Sequence, residues 1–140
     1  MAVTIALTFS WLGLVVGLSF LEAPLKFRAP GITRELGLGI GRLVFRALNG
    51  AELVLAAGIV LALIGDDVPG IAWALYLLLA VVLIAQTAML HLRMDKRAAR
   101  IVAGETLPAS NLHDIYIGME VLKLALLVAL GTVLLQEIAS

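Results

Sequence analysis

Two stretches of this chain, Met1–Leu21 and Val68–Leu90, contain no charged side chain. A helix needs about 20 predominantly apolar residues to cross the roughly 30 Å hydrocarbon core of a bilayer, and each stretch is long enough. Composition agrees. A soluble domain averages roughly 45–50% apolar and about 25% charged residues, whereas this chain has 62% and 14% and a mean hydropathy of +1.09. The sequence therefore reads as an integral membrane protein. Ten Lys+Arg balance ten Asp+Glu and there is no Cys, which rules out disulfides, thiolate metal sites, iron–sulfur clusters, covalent haem and a Cys nucleophile. Nucleic-acid binding needs clustered positive charge on a soluble face, and a neutral, oily chain is not built for it.

Two further stretches, Leu53–Gly65 and Leu124–Gln136, are uncharged for only 13 residues each. At ~1.5 Å per residue they reach ~20 Å, so each must draw polar turns into the membrane. The expected spans are 3–22, 42–65, 70–92 and 113–136. A cleaved signal peptide is the rival reading of the first, but Met1-Ala2-Val3-Thr4 offers no basic n-region. All ten basic residues fall in the first-to-second connection, the third-to-fourth connection, or the helix ends beside them. The second-to-third turn carries Asp66-Asp67 and the C-terminus Glu137. The positive-inside rule then puts the basic connections in the cytoplasm and both termini outside, with the inner membrane of a bacterium as the expected location.

The connections differ in kind. Asp66-Asp67-Val68-Pro69-Gly70 is a tight turn of breaker residues. Residues 23–41 hold Pro24 and Pro30, then Ile32, Leu36 and Ile40 on one side with Arg34 and Glu35 on another, which predicts a short interfacial helix. The third helix should continue through Arg93 to Arg100, and Gly104–Ser110 should break it. Asn111 with Asp114 resembles a capping box opening the last helix. The expected fold is all-α: one domain, 1–140, an antiparallel four-helix membrane bundle with the interfacial helix between spans one and two.

Polar residues within the spans are the functional candidates. Arg42, Arg46, Asn49 and Glu52 share a face of the second helix, and His113, Tyr116, Glu120 and Lys123 share one on the fourth, with Gln86 and His91 on the third. A charge near the centre of a span costs ~2.5–3.5 kcal/mol, so these groups, with Asp114, should face inward. The expected pairs are Glu52 with Lys123, and Glu120 with Arg46 and Asn49. Such a set is either a self-neutralising ladder that fixes helix register or a cytoplasm-facing polar cleft with Glu52, Glu120 and Lys123 at its floor. His91 and His113 are the candidate cofactor ligands, for a haem between two imidazoles, although histidines at helix ends also serve as interfacial groups. Met89, Met94 and Met119 lie near them, and thioether with imidazole suits Cu(I), but methionine is also ordinary core filler. Gly13-x-x-x-Gly17 permits close helix approach, and Trp11 and Trp73 read as interfacial anchors or packing residues. Asp114 beside His113 reads as a first-turn acid favoured by the helix dipole, not as a dyad.

Gly17-Leu-Ser-Phe20, Ala23-Pro24-Leu-Lys-Phe27, Gly41-Arg-Leu-Val-Phe45 and Leu112-His113 together resemble a four-helix membrane family. It includes the eukaryotic transmembrane protein 205 and lies close to bacterial copper-resistance-D-like domains. Glu52 early in the second span and Lys26 after Phe20 are similar to the DoxX-like family. Either resemblance implies a four-helix fold and a link to metal or drug tolerance, and neither supplies a catalytic residue. No GxSxG, HExxH, P-loop or dinucleotide fingerprint is present, which leans against an enzyme. Three functions follow in order: a non-enzymatic protein whose polar cleft handles a small solute, ion or lipid head group; an accessory subunit of a larger respiratory or photosynthetic type membrane complex; and a haem- or quinone-binding redox protein. A homo-oligomer fits the first, and the cofactor is left open.

Overall fold

The computed structural model describes residues Met1–Ser140 and is all-helical. Four helices are long and apolar enough to cross a membrane: α1 (Ala2–Arg28), α2 (Arg34–Gly65), α3 (Gly70–Val102) and α4 (Leu112–Ala139). Each packs against its sequence neighbours, and α4 closes the bundle against α1. Their inner faces carry Trp11 and Val15 from α1, Ile59 and Leu63 from α2, Leu79 and Leu83 from α3, and Leu127, Leu130 and Leu134 from α4. Large aliphatic side chains also cover the outside. Val54 is 73%, Leu61 71% and Ile64 70% exposed, a surface that only lipid or another helix can cover. The chain is built as an integral membrane protein.

The interfacial helix expected between spans one and two is not a separate element. Residues 23–28 complete α1, and residues 34–41 are the first two turns of α2. The break is confined to 29–33, where Pro30 is followed by Gly31 at φ 79°. Thr33 then caps α2, its hydroxyl accepting the Leu36 N–H at 3.1 Å, and no proline interrupts the helix before Gly65. Close approach explains why glycines lie in those turns. A Cβ at Gly37 would stand 2.2 Å from the Phe27 ring, and one at Gly41 3.0 Å from Lys26 Nζ. The bare backbone of α2 thus lets the end of α1 fold over it. The expected extension of α3 is present and ends before Gly104, whose φ is 93°. Asn111 is the N-cap residue of α4, but its side chain makes no cap bond because its backbone (φ −89°, ψ 5°) is not extended. Instead the Ser110 hydroxyl accepts the Leu112 N–H at 3.2 Å.

Two π-type segments, Val15–Glu22 in α1 and Leu90–Met94 in α3, widen the helices toward the end that carries the basic connections. At the opposite end the Met1 ammonium and the Thr4 hydroxyl both donate to Asp66 in the turn between α2 and α3. These bonds, the ammonium's first, hold the Asp66 carboxyl below the ordinary aspartate value of 3.8. A carboxyl depressed in the folded state stabilises the fold at pH values above its unfolded value, and that contribution disappears as pH falls through the folded value. Wild type should therefore exceed Asp66→Asn in thermal stability at neutral pH. The gap should close in strong acid, as thermal unfolding across that range would record.

Candidate functional site

The inner face of α1 is more polar than an uncharged span suggests: Thr4, Thr8, Trp11 and Ser19 are all buried. On α2 the buried positions include Leu48, Asn49, Glu52, Ala56 and Ile59, and on α3 Leu79, Val82, Leu83 and Gln86. On α4 Tyr116, Glu120, Lys123 and Leu127 fall on one stripe. Where these faces meet, the bundle encloses a charged cluster. Lys123 Nζ lies 2.5 Å from Glu52 Oε1 and 2.6 Å from Glu120 Oε1. It also donates to Gln86 Oε1 at 2.8 Å. The three ammonium donors are thereby all used. Gln86 Nε2 donates to Glu120 Oε1 at 2.7 Å, and the Trp11 indole N–H donates to Glu52 Oε1 at 2.9 Å. Every one of these five side chains is at most 1% exposed. Glu52 stands 13 residues from the Gly65 end of α2, ~20 Å along the axis and well inside the hydrocarbon.

A second, smaller network lies nearer the basic end. Asn49 Nδ2 donates to the Thr87 hydroxyl at 2.8 Å, and His91 Nε2 lies 3.3 Å from Asn49 Oδ1. Tyr116 is buried one turn before Glu120, with its ring edge-on to Phe45 at 5.6 Å.

Closer still to the basic end a cavity of about 380 Å³ opens, and both π-type segments border it, through Ser19 and Phe20 on α1 and Leu90 and Met94 on α3. Its apolar wall includes Phe20, Phe27 and Phe45, and its polar groups include Lys26, Arg42, Asp95 and His113. Arg42 Nε is held by Asp95 Oδ1 at 2.7 Å. Lys26 Nζ lies 3.6 Å from Glu22 and 5.6 Å from the centroids of both Phe27 and Phe45. The Ser19 hydroxyl is buried and has no hydrogen-bond partner.

The expected cleft residues are therefore divided between separate places. Glu52, Gln86, Glu120 and Lys123 form a closed cluster and do not floor an open cleft, while Asn49 belongs to the network beneath it. Of the expected residues only Arg42 and His113 line the cavity. Arg46 is exposed and forms no pair with Glu120, because six residues place it about 120° round the helix from Glu52. Asp114 is exposed at the start of α4. His91 and His113 do not share the cavity, since His91 is engaged with Asn49. Met94 borders it, whereas Met89 and Met119 do not.

Three partners escaped the sequence reading. Trp11 read as an anchor or a packing residue, and its core position fits the second, but its bond to Glu52 was missed although Thr4, Thr8, Trp11 and Ser19 form a readable polar stripe. Asp95 was hidden among Arg93, Lys96 and Arg97, although a lone acid in a basic run is itself a signal. Thr87 had no sequence signal, because threonine satisfied by its own helix is common, and its hydroxyl does donate to Leu83 O at 2.8 Å. No protein-family model, curated protein or solved structure matches this chain.

Proposed function

We propose that this chain is a non-enzymatic inner-membrane protein, termini outside, that binds an amphiphile in the cavity at its cytoplasmic end. The ligand would be a molecule with an apolar body and a small polar or charged head, such as a lipid or a lipid-derived acid. The observation that carries this reading is the cavity itself. Pockets for small molecules run from about 300 Å³ upward, mostly apolar with a few convergent polar groups. Here three phenylalanine rings would take the body, while Lys26, Arg42 and His113 offer donors to a head group. The Ser19 hydroxyl is a buried donor without an acceptor, a group that a bound molecule would satisfy. Two π-type segments beside the cavity add support, because such segments recur at functional sites. Orientation rests on the basic residues of the two connections and adjoining helix ends on that side, which are all of the chain's ten apart from the buried Lys123.

Native mass spectrometry of protein gently extracted from its own membrane should reveal a small retained mass. Ala98 lines the cavity, so Ala98→Phe should fill it and remove that mass with little loss of helicity. Supplying the extracted lipid should raise the wild type's Tm and leave the variant's unchanged. A wild type with no bound mass and no response to lipid would sink the reading.

The second reading, an accessory subunit of a larger complex, is favoured by one feature. A shallow groove on the lipid-facing side of α1 and α2 is lined by Ser10, Gly13, Gly50 and Ala51, small residues of the kind that admit another helix. Purification with a stoichiometric partner would promote it. The resemblance to the transmembrane protein 205 family is compatible with either.

A further inference from the structure

The charged cluster does not balance. Its buried ionisable groups are Glu52, Glu120 and Lys123, two acids and one base, and no other charged residue of the bundle is buried. Around them α1 contributes the Trp11 indole, α2 the Asn49 amide one turn away, and α3 the Gln86 amide. From α4 itself comes the Tyr116 ring. All four are neutral. His91 on α3 meets Asn49 and is exposed, and Arg42 is already paired with Asp95, so neither supplies the missing positive charge. With every group ionised, the cluster would hold one uncompensated negative charge inside the hydrocarbon, which a membrane interior does not tolerate.

Hydrogen bonding locates the excess. Lys123 has no donor to spare, and Gln86 gives Nε2 to Glu120 Oε1. Both therefore serve the same oxygen of Glu120, and its other oxygen, Oε2, is buried with no partner at all. An anionic oxygen without a donor is the arrangement a buried carboxylate avoids. Protonating one carboxyl of the pair lowers that cost to the smaller one of a neutral polar group.

We propose that the Glu52–Lys123–Glu120 cluster is a single-proton site: one proton from bulk water, shared between the two carboxyls, makes the cluster neutral while Lys123 stays an ammonium. The balance is simple. One carboxylate takes up H⁺ to become a carboxylic acid, the other stays ionised against Lys123, and no electron moves. Two like carboxyls around one cation form a coupled pair, so the proton belongs to the pair and not to either residue alone. This site is separate from the amphiphile cavity and does not depend on what that cavity binds. The route between them is short, because Phe45 lines the cavity and Tyr116, edge-on to Phe45, lies one turn from Glu120.

Infrared spectroscopy of the full chain in lipid vesicles at neutral pH tests the assignment. Wild type should display the carbonyl stretch of a protonated carboxylic acid, shifted on exchange into D₂O. Glu120→Gln should abolish the band, because the remaining Glu52–Lys123 pair is already neutral. Glu52→Gln should abolish it for the mirrored reason. A wild type without the band would overturn the proposal, and that measurement stands even where a variant fails to fold. Survival of the band in either variant would also overturn it, as would a band indifferent to D₂O. So would a wild type that lacks the band and loses stability when sodium and potassium are removed, since a metal cation would then be supplying the charge.

Discussion

Lys123→Met should be among the most damaging single changes in this protein, with an expected loss of about 3–5 kcal/mol of stability. The lysine is fully buried and makes three short contacts, to Glu52, Glu120 and Gln86. Its removal leaves the two carboxyls, which already share one proton, in hydrocarbon with no cation, and the remaining carboxylate must stay charged there or take up a second proton. The loss therefore measures a broken charge balance more than a missing side chain. A companion variant separates the two. Lys123→Met combined with Glu52→Gln and Glu120→Gln removes every charge and keeps amides able to bond Gln86 and Trp11. Replacing a whole buried ion set by neutral groups is often neutral or stabilising, so this triple variant should recover most of the loss. Glu52→Gln or Glu120→Gln alone should be mild, because either leaves one carboxylate against Lys123. The double change to Gln, which strands the ammonium, should be as severe as Lys123→Met. Reversible unfolding in mixed micelles would rank all five variants. A triple variant as unstable as Lys123→Met would assign the cost to packing and not to charge.

Span number, helix ends near the acidic turn, and the Glu52–Lys123 contact were all legible because each rests on a strong local cost. Charge in hydrocarbon fixes where spans end, and opposite charges at equal depth find each other. What was not legible depended on helix rotation. Arg46 and Glu120 lie at compatible depths, yet Arg46 faces out of the bundle, a difference of phase that pattern reading over one face blurred. The first turns of α2 looked like a surface helix because Ile32, Leu36 and Ile40 are amphipathically spaced with Arg34. They instead extend the span, since Gly37 and Gly41 let Phe27 and Lys26 of α1 pack upon them. The cavity had no signature at all. It arises where two helices widen into π-type turns, and neither segment contains a residue that marks the change.

Trp11 and Trp73 are each a lone tryptophan in an uncharged stretch, but the structure gives them different work, and the second large effect follows from that. Trp73 is half-buried, edge-on to Tyr76 at 6.5 Å, and its loss should be modest. Trp11 is fully enclosed among the core side chains and donates to Glu52 Oε1. Trp11→Ala should cost about 3 kcal/mol, the lower end of the range for buried tryptophan. In a bilayer the transfer contribution is small because lipid tails are as apolar as the core, so the cavity and lost packing carry the cost. Trp11→Phe keeps most of the ring and removes only the indole donor, for an expected loss of about 1–3 kcal/mol. If that loss comes from the hydrogen bond, it should shrink when Glu52 is already Gln, because a neutral amide oxygen needs the donor less than a shared carboxylate does. A double-mutant cycle of Trp11→Phe with Glu52→Gln would then yield a coupling of at least about 0.5 kcal/mol. Additive losses would reduce Trp11 to a filler of space and leave Glu52 held by Lys123 alone.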